Sequence, residues 1–95
     1  MVSFDLTGKV ALVTGASQGL GVDMARGLAE AGADVVVAAR RLDKLETVAK
    51  EIHESTGRTI VPMYLDVTKM DVVKDVVAKI LEQFGKLDIL VNNAA

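Results

Sequence analysis

Cysteine is missing from this sequence. Its absence removes disulfides, thiolate nucleophiles and cysteine-ligated metals together, and fits a cytoplasmic location. Histidine occurs once, as His53, so a histidine-based metal site is not expected. Only 3% of residues are aromatic, which leaves Val, Leu, Ile, Ala and Met to build any core. No sign of charge dominates. The net charge of -2 gives no electrostatic footprint for nucleic acid or an anionic membrane, and neither is expected as a partner. No run approaches the ~18 apolar residues of a membrane span. The opening stretch MVSFDLTGKVALVTG lacks a basic n-region and is interrupted by Asp5 and Lys9, so it does not read as a signal peptide.

What is present is apolar and periodic. Hydrophobic residues make up 51% of the 95, enough for the core of one small domain. A chain of this length buries only roughly 60% of its unfolded surface, so its stability margin is thin. Four short runs rich in Val, Ile and Leu read as strands: 10–14, 34–39, 59–65 and 87–91. They are nearly continuous rather than alternating, as strands covered on both faces are.

Three helical patterns separate them. The first runs over 19–31, with Leu20, Met24 and Leu28 as its apolar stripe and Gly32 as its stop. Gly27 lies inside it, which suggests a close approach to the sheet. The second starts near Asp43, with Glu46 completing a capping box, and buries Leu45, Val48, Ala49 and Ile52 before Gly57. The third starts at Thr68, with Asp71 at the box position. Its stripe is Val73, Val77, Ile80 and Phe84, widened by Val72, Val76 and Leu81, which implies more than one neighbour. Strand–helix alternation of this kind predicts an α/β fold: a doubly wound, Rossmann-type parallel sheet with crossover helices. The order 3-2-1-4 puts Pro62 on an edge strand, where a missing N–H is tolerated.

The first strand passes into the first helix through Thr14-Gly15-Ala16-Ser17-Gln18-Gly19-Leu20-Gly21. Glycines at such a junction allow a tight turn, bring backbone close to a pyrophosphate and let the helix pack against the strand. The helix N-terminus then offers free N–H groups and its positive dipole end to phosphate. The spacing G-x-x-x-G-x-G differs from the commoner G-x-G-x-x-G, and a plain glycine-rich turn is the bland alternative. The second strand ends in Ala38-Ala39-Arg40-Arg41, where an acidic residue would bind the ribose of NAD. Asp34 cannot serve instead, being about 16 Å away at ~3.3 Å per residue. A guanidinium fork suits a phosphate, so the pair favours the 2′-phosphate of NADP over NAD. A solvated arginine pair is the alternative.

Three stretches together, GKVALVTGASQGLG, LDVT at 65–68 and LDILVNNA near the end, resemble the short-chain dehydrogenase/reductase family over essentially the whole chain. The resemblance implies a dinucleotide cofactor held by Gly15, Gly19 and Gly21, with Ser17, Gln18 and Leu20 at loop positions that meet its phosphates or ribose. It implies that Arg40 selects NADP, with Arg41 the second candidate, and that Asp66 meets the adenine beside the Val67 backbone. Asn92 matches the asparagine that ties the central strands together, and Ala94 lies where the backbone passes the adenosine ribose. Ala95 stands where the family usually has glycine.

The resembled family interconverts alcohols and carbonyls by hydride transfer to or from nicotinamide, using a serine and a Tyr-x-x-x-Lys pair. Here the single tyrosine, Tyr64, has Thr68 four residues on and lies in the third strand. No catalytic residue and no metal site is therefore expected in this chain. It reads as the N-terminal, cofactor-binding part of an NADP-dependent oxidoreductase acting on a small alcohol or carbonyl, opening at Met1 and lacking what would follow Ala95. Two other readings stay open: a non-catalytic dinucleotide-binding module, and a structural piece that binds nothing strongly. In the order 3-2-1-4 the third helix is alone on its face and the last strand is an open apolar edge, so self-association is expected.

Overall fold

The computed structural model describes residues 5–93. Strand and helix alternate as β1 (Val10–Thr14), α1 (Leu20–Glu30), β2 (Asp34–Ala39), α2 (Leu42–Thr56), β3 (Ile60–Tyr64), α3 (Met70–Phe84) and β4 (Ile89–Asn92). All three strand pairings are parallel and the order is β3-β2-β1-β4, as the sequence pattern predicts. Pro62 sits on the edge strand β3, opposite Val37. Thr14 is level with Ala38 on one side and Asn92 on the other, so the strand tips end together.

Successive residues of the central strands feed opposite faces. Ala11, Val13, Val35 and Val37 pack with α1 and α2; Val10, Leu12, Val36 and Ala38 pack with α3. The two cores are separate layers with one sheet between them. Among the described helices none is long and apolar enough to cross a membrane.

The helices differ in how well their buried faces follow the apolar stripe. In α2 the buried residues are Leu45, Val48, Ala49 and Ile52, the set the periodicity names. In α1 they are Gly21, Ala25 and Ala29, one position round from the predicted line. Leu20 is 60% exposed, while Met24 and Leu28 only flank the core. Small residues win this face because they let the helix axis approach the sheet. Gly27 is not part of that approach: a side-chain carbon placed there would meet nothing within 4 Å. In α3 the buried line is Val76 and Ile80, with Val72, Val73 and Phe84 half-buried around it. Among the described residues no second neighbour covers Leu81, which remains 47% exposed.

The predicted capping boxes do not form. Arg41 precedes α2 and Lys69 precedes α3, neither with a side-chain cap. Thr68 is otherwise engaged, because its hydroxyl and its N–H both donate to the Asp66 carboxylate, at 2.6 and 3.0 Å. Local side chain-to-backbone bonding of this sort competes with helix initiation and moves the start to Met70. The glycine stops of α2 and α3 do hold. Gly57 and Gly85 adopt left-handed φ values of 73° and 79° and close each last turn by donating to His53 and Leu81.

Candidate functional site

A cleft of about 580 Å³ opens at the carboxyl ends of the strands. This is where an open parallel sheet presents its loops, and the reversal of strand order between β1 and β4 leaves the crevice there. Three segments wall it: Thr14–Gln18 after β1, Ala38–Arg41 after β2, and Leu65–Thr68 after β3, with Asn93 at the tip of β4.

The first wall is shaped by backbone conformation. Gly15 and Gly19 have φ values of 64° and 62°, a region that a side chain would strain. Ala16 N–H donates to the Ala38 carbonyl at 3.3 Å, tying the turn to β2. Ser17 and Gln18 line the cleft, and Gly19 leads into α1. No side chain caps α1, so its N-terminal end keeps its capacity for an anion. Gly21 lies behind this wall rather than on it. A side-chain carbon there would overlap the Gly15 carbonyl and come within 2.9 Å of the Asn93 amide nitrogen. Its role is to let the helix sit directly against the turn. Leu20, exposed beside it, does not line the cleft.

The floor is a small polar network on Thr14, the one buried polar residue among those described. Its hydroxyl donates to Asn92 Oδ1 at 3.0 Å and accepts the Asn93 N–H at 3.0 Å. Asn93 Nδ2 reaches the Gly15 carbonyl at 3.5 Å. Asn92 thus links β4 to β1, and Asn93, not named from the sequence, faces the cleft. Thr14 and Thr68 also line it and were likewise missed. Their neighbours carried the motif signal, whereas their own role is visible only as hydrogen bonds across the fold. Ala94 lies outside the described residues.

The opposite wall carries charge. Leu65 N–H donates to the Ala39 carbonyl at 3.0 Å, extending the β2–β3 pairing so that Asp66 arrives near Arg40. The two Thr68 hydrogen bonds hold the Asp66 carboxyl below the usual carboxylate range, with smaller help from Lys69 and Arg40. Asp66 is therefore ionised at neutral pH and its geometry is fixed by the turn, with Val67 lining the cleft beside it. The arginines are both exposed but not equivalent. Arg41 Nε lies 3.7 Å from Asp43 Oδ1, while no ion pair among the described residues engages Arg40. Asp34 is at the far end of β2, bonded at 3.0 Å to Arg58. Tyr64, at the end of the edge strand, is 44% exposed and does not line the cleft.

Comparison with known proteins finds similar sequences and the same fold elsewhere. The chain is 50% identical over 91 residues to a probable 2,4-dienoyl-CoA reductase of Caenorhabditis elegans, covering 95% of this chain and 29% of that protein. L-sorbose reductase of Gluconobacter frateurii, solved with NADPH and L-sorbose, superposes with a TM-score of 0.94 at 38% identity, over 99% of this chain and 36% of that one. A metagenomic short-chain oxidoreductase solved with NADP superposes with a TM-score of 0.90 at 40% identity, over 95% of this chain and 40% of that one. The chain thus spans about a third of the length of these relatives. Residues 9–95 match the short chain dehydrogenase family. That span takes in the glycine turn, the acidic turn after β3 and the paired asparagines, and the chain belongs to this family.

Proposed function

We propose that this chain forms the adenosine- and phosphate-binding part of an NADP-dependent oxidoreductase that interconverts an alcohol and a carbonyl. The observation that carries the reading is the pairing of walls across one cleft. The turn through the left-handed Gly15, Ser17 and Gln18, which leads into the uncapped end of α1, lines the cleft together with two arginines and an ordered carboxylate. The cleft volume falls within the range of ligand sites, about 300–1,000 Å³.

In this reading Gly15, Ser17, Gln18 and Gly19 meet the pyrophosphate and its riboses, Leu20 offers only its backbone N–H at the start of α1, and Gly21 lets the turn close. Arg40, in no ion pair among the described residues, takes the 2′-phosphate, with Arg41, near Asp43, the second candidate. Asp66 and the Val67 backbone meet the adenine, and Ala94 would run beside the ribose. Asn92 fixes the strand tips beneath them. When bound, the nicotinamide supplies the hydride acceptor or donor. The proton-transfer serine and Tyr-x-x-x-Lys of the family have no counterparts in these 95 residues, so the chain alone is expected to bind cofactor and not to turn over substrate. NADP and NADPH in two structural relatives support the choice of cofactor.

Calorimetric titration tests this reading. NADP is expected to bind more tightly than NAD, and Arg40→Asp to weaken NADP selectively. Each lost charged hydrogen bond corresponds to about 1.5–3 kcal/mol. Equal loss for the two dinucleotides would remove Arg40 from the proposal. Absence of binding to either would favour the structural reading.

The same proposal includes self-association of the chain through β4. Among the described residues that strand has one neighbour, β1, and Leu90 on it is 63% exposed. An open apolar edge of this kind pairs readily with another chain.

A further inference from the structure

The floor of the cleft depends on where β4 stops, and β4 is only four residues long with one partner strand. Its apolar pattern cannot settle that position by itself. A slip of one residue would invert its faces, but a slip of two would restore Ile89 and Val91 to the same face. Such a slip would carry Asn93 about 6.6 Å along the strand, at ~3.3 Å per residue, away from Thr14 and Gly15. Something other than hydrophobic pattern must therefore choose among the even registers.

Side chains at the two ends of the β1–β4 pair are placed to do so. At the carboxyl end stand the Thr14 bonds to Asn92 and Asn93. At the other end Asp88 N–H donates to the Val10 carbonyl at 2.9 Å, and Val10 N–H donates back to the Asp88 carboxylate, Oδ2, at 2.8 Å. Backbone and side chain of Asp88 thus close a two-bond ring on a single residue of β1. The same Oδ2 lies 3.3 Å from Lys86 Nζ. Lys9 is the other charge facing it, and the Val10 hydrogen bond is the main cause that lowers the Asp88 pKa from the ordinary carboxylate value. In either slipped register Asp88 would no longer face Val10, and both this ring and the Thr14 network would open together.

We propose that Asp88 is a positioning residue for the cofactor cleft: its side-chain latch on Val10 sets the register of β4 and thereby holds Asn93 against Thr14 and Gly15 at the opposite end of the strand. It touches no part of the cleft and acts through the strand. For its cofactor arm this rests on the dinucleotide reading above; for its register arm it does not.

The test is hydrogen exchange at low micromolar concentration, read residue by residue, on the wild-type chain and three variants. Asp88→Ala removes the acceptor. Asp88→Asn keeps an oxygen for Val10 N–H and loses the charge. Val48→Ala, on α2, lowers stability without touching β4. The Asn93 amide is expected to exchange about tenfold faster in Asp88→Ala than in Val48→Ala, the loss of roughly one hydrogen bond. Asp88→Asn should restore most of the protection. NADP affinity should follow the same order. Should Asn93 exchange alike in Asp88→Ala and Val48→Ala, with Val10 alone deprotected, the latch is local and the proposal is overturned. If Asp88→Ala does not fold, Asp88→Asn decides: protection of Asn93 close to wild type supports the latch through the acceptor oxygen, while a loss as large as global unfolding overturns it. Failure of the wild-type chain to bind NADP would count against the dinucleotide reading, with exchange at Asn93 still deciding the latch.

Discussion

The two faces of this sheet are built from the same kinds of residue and finished to different degrees. On one, α1 and α2 lie side by side, and Ala11, Val13, Val35, Val37, Leu45 and Ile52 are completely buried. On the other, α3 lies alone, and Leu81 and Leu90 remain 47% and 63% exposed. The strands present Val, Ile, Leu and Ala to both sides, so composition does not distinguish them. Coverage does. A sheet of four parallel strands has three crossovers, and with the reversal at β1 two of them fall on one face and one on the other. The lone helix reaches β1 and β2 through Val76 and Ile80 but leaves β4 outside its shadow.

The sharpest way to break this contrast is a pair of truncations read by denaturant unfolding. Leu45→Ala, in the covered layer, is expected to cost about 2–5 kcal/mol, the range for a large-to-small change where neighbours cannot collapse. Leu90→Ala, on the uncovered side, is expected to stay within about 0.5 kcal/mol. Similar costs at the two positions would mean that the second face is closed in solution by something beyond α3.

A second pair divides α1 along its own length. Gly21→Ala places a carbon against the Asn93 side-chain amide and, closer still, against the Gly15 carbonyl, which is backbone and cannot swing aside. Overpacking of this kind is expected to cost about 1–3 kcal/mol and to displace the turn that lines the cleft, so NADP affinity should fall as well. Gly27→Ala, with nothing near it, is expected to stabilise by up to about 1 kcal/mol through helix propensity and to leave affinity unchanged. Thermal unfolding and calorimetry on the two variants read both quantities. Destabilisation by Gly27→Ala would show that this face of α1 is occupied after all.

The architecture was legible in the sequence because strand–helix alternation and parallel-strand hydrophobicity are properties of whole segments. All the elements fall within two residues of the expected bounds, the largest offsets being the starts of α3, expected at Thr68 and found at Met70, and of β4, expected at 87 and found at Ile89. Finer features were legible only where one principle acted alone. In α2 the large apolar residues are also the buried ones, so periodicity sufficed. In α1 close packing competes with side-chain size, and Gly21, Ala25 and Ala29 take the face that Leu20, Met24 and Leu28 seemed to claim. The glycine turn and the arginine pair stood out because their residue types are demanded by backbone shape and by charge. Thr14 and Asn93 did not, since a threonine ending a strand and an asparagine beyond another acquire meaning only when β1 and β4 are placed side by side. Asp66 was named for a ligand; its grip on Thr68, which displaced the start of α3, needed coordinates.

The smallest expected effect on stability bears on the open side of the comparison. Leu90→Glu adds a charge where the side chain already meets solvent, so unfolding of the monomer should shift by less than about 0.5 kcal/mol. An edge strand is protected by such a charge, because pairing with a second copy would have to desolvate it. Sedimentation velocity across a range of concentrations should show the wild-type chain moving toward larger species and the variant remaining a monomer. A wild-type chain that stays monomeric throughout would remove self-association through β4 from the proposal. An association that persists unchanged in the variant would place the contact elsewhere, with Leu81 on α3 the next exposed apolar residue on that face to substitute.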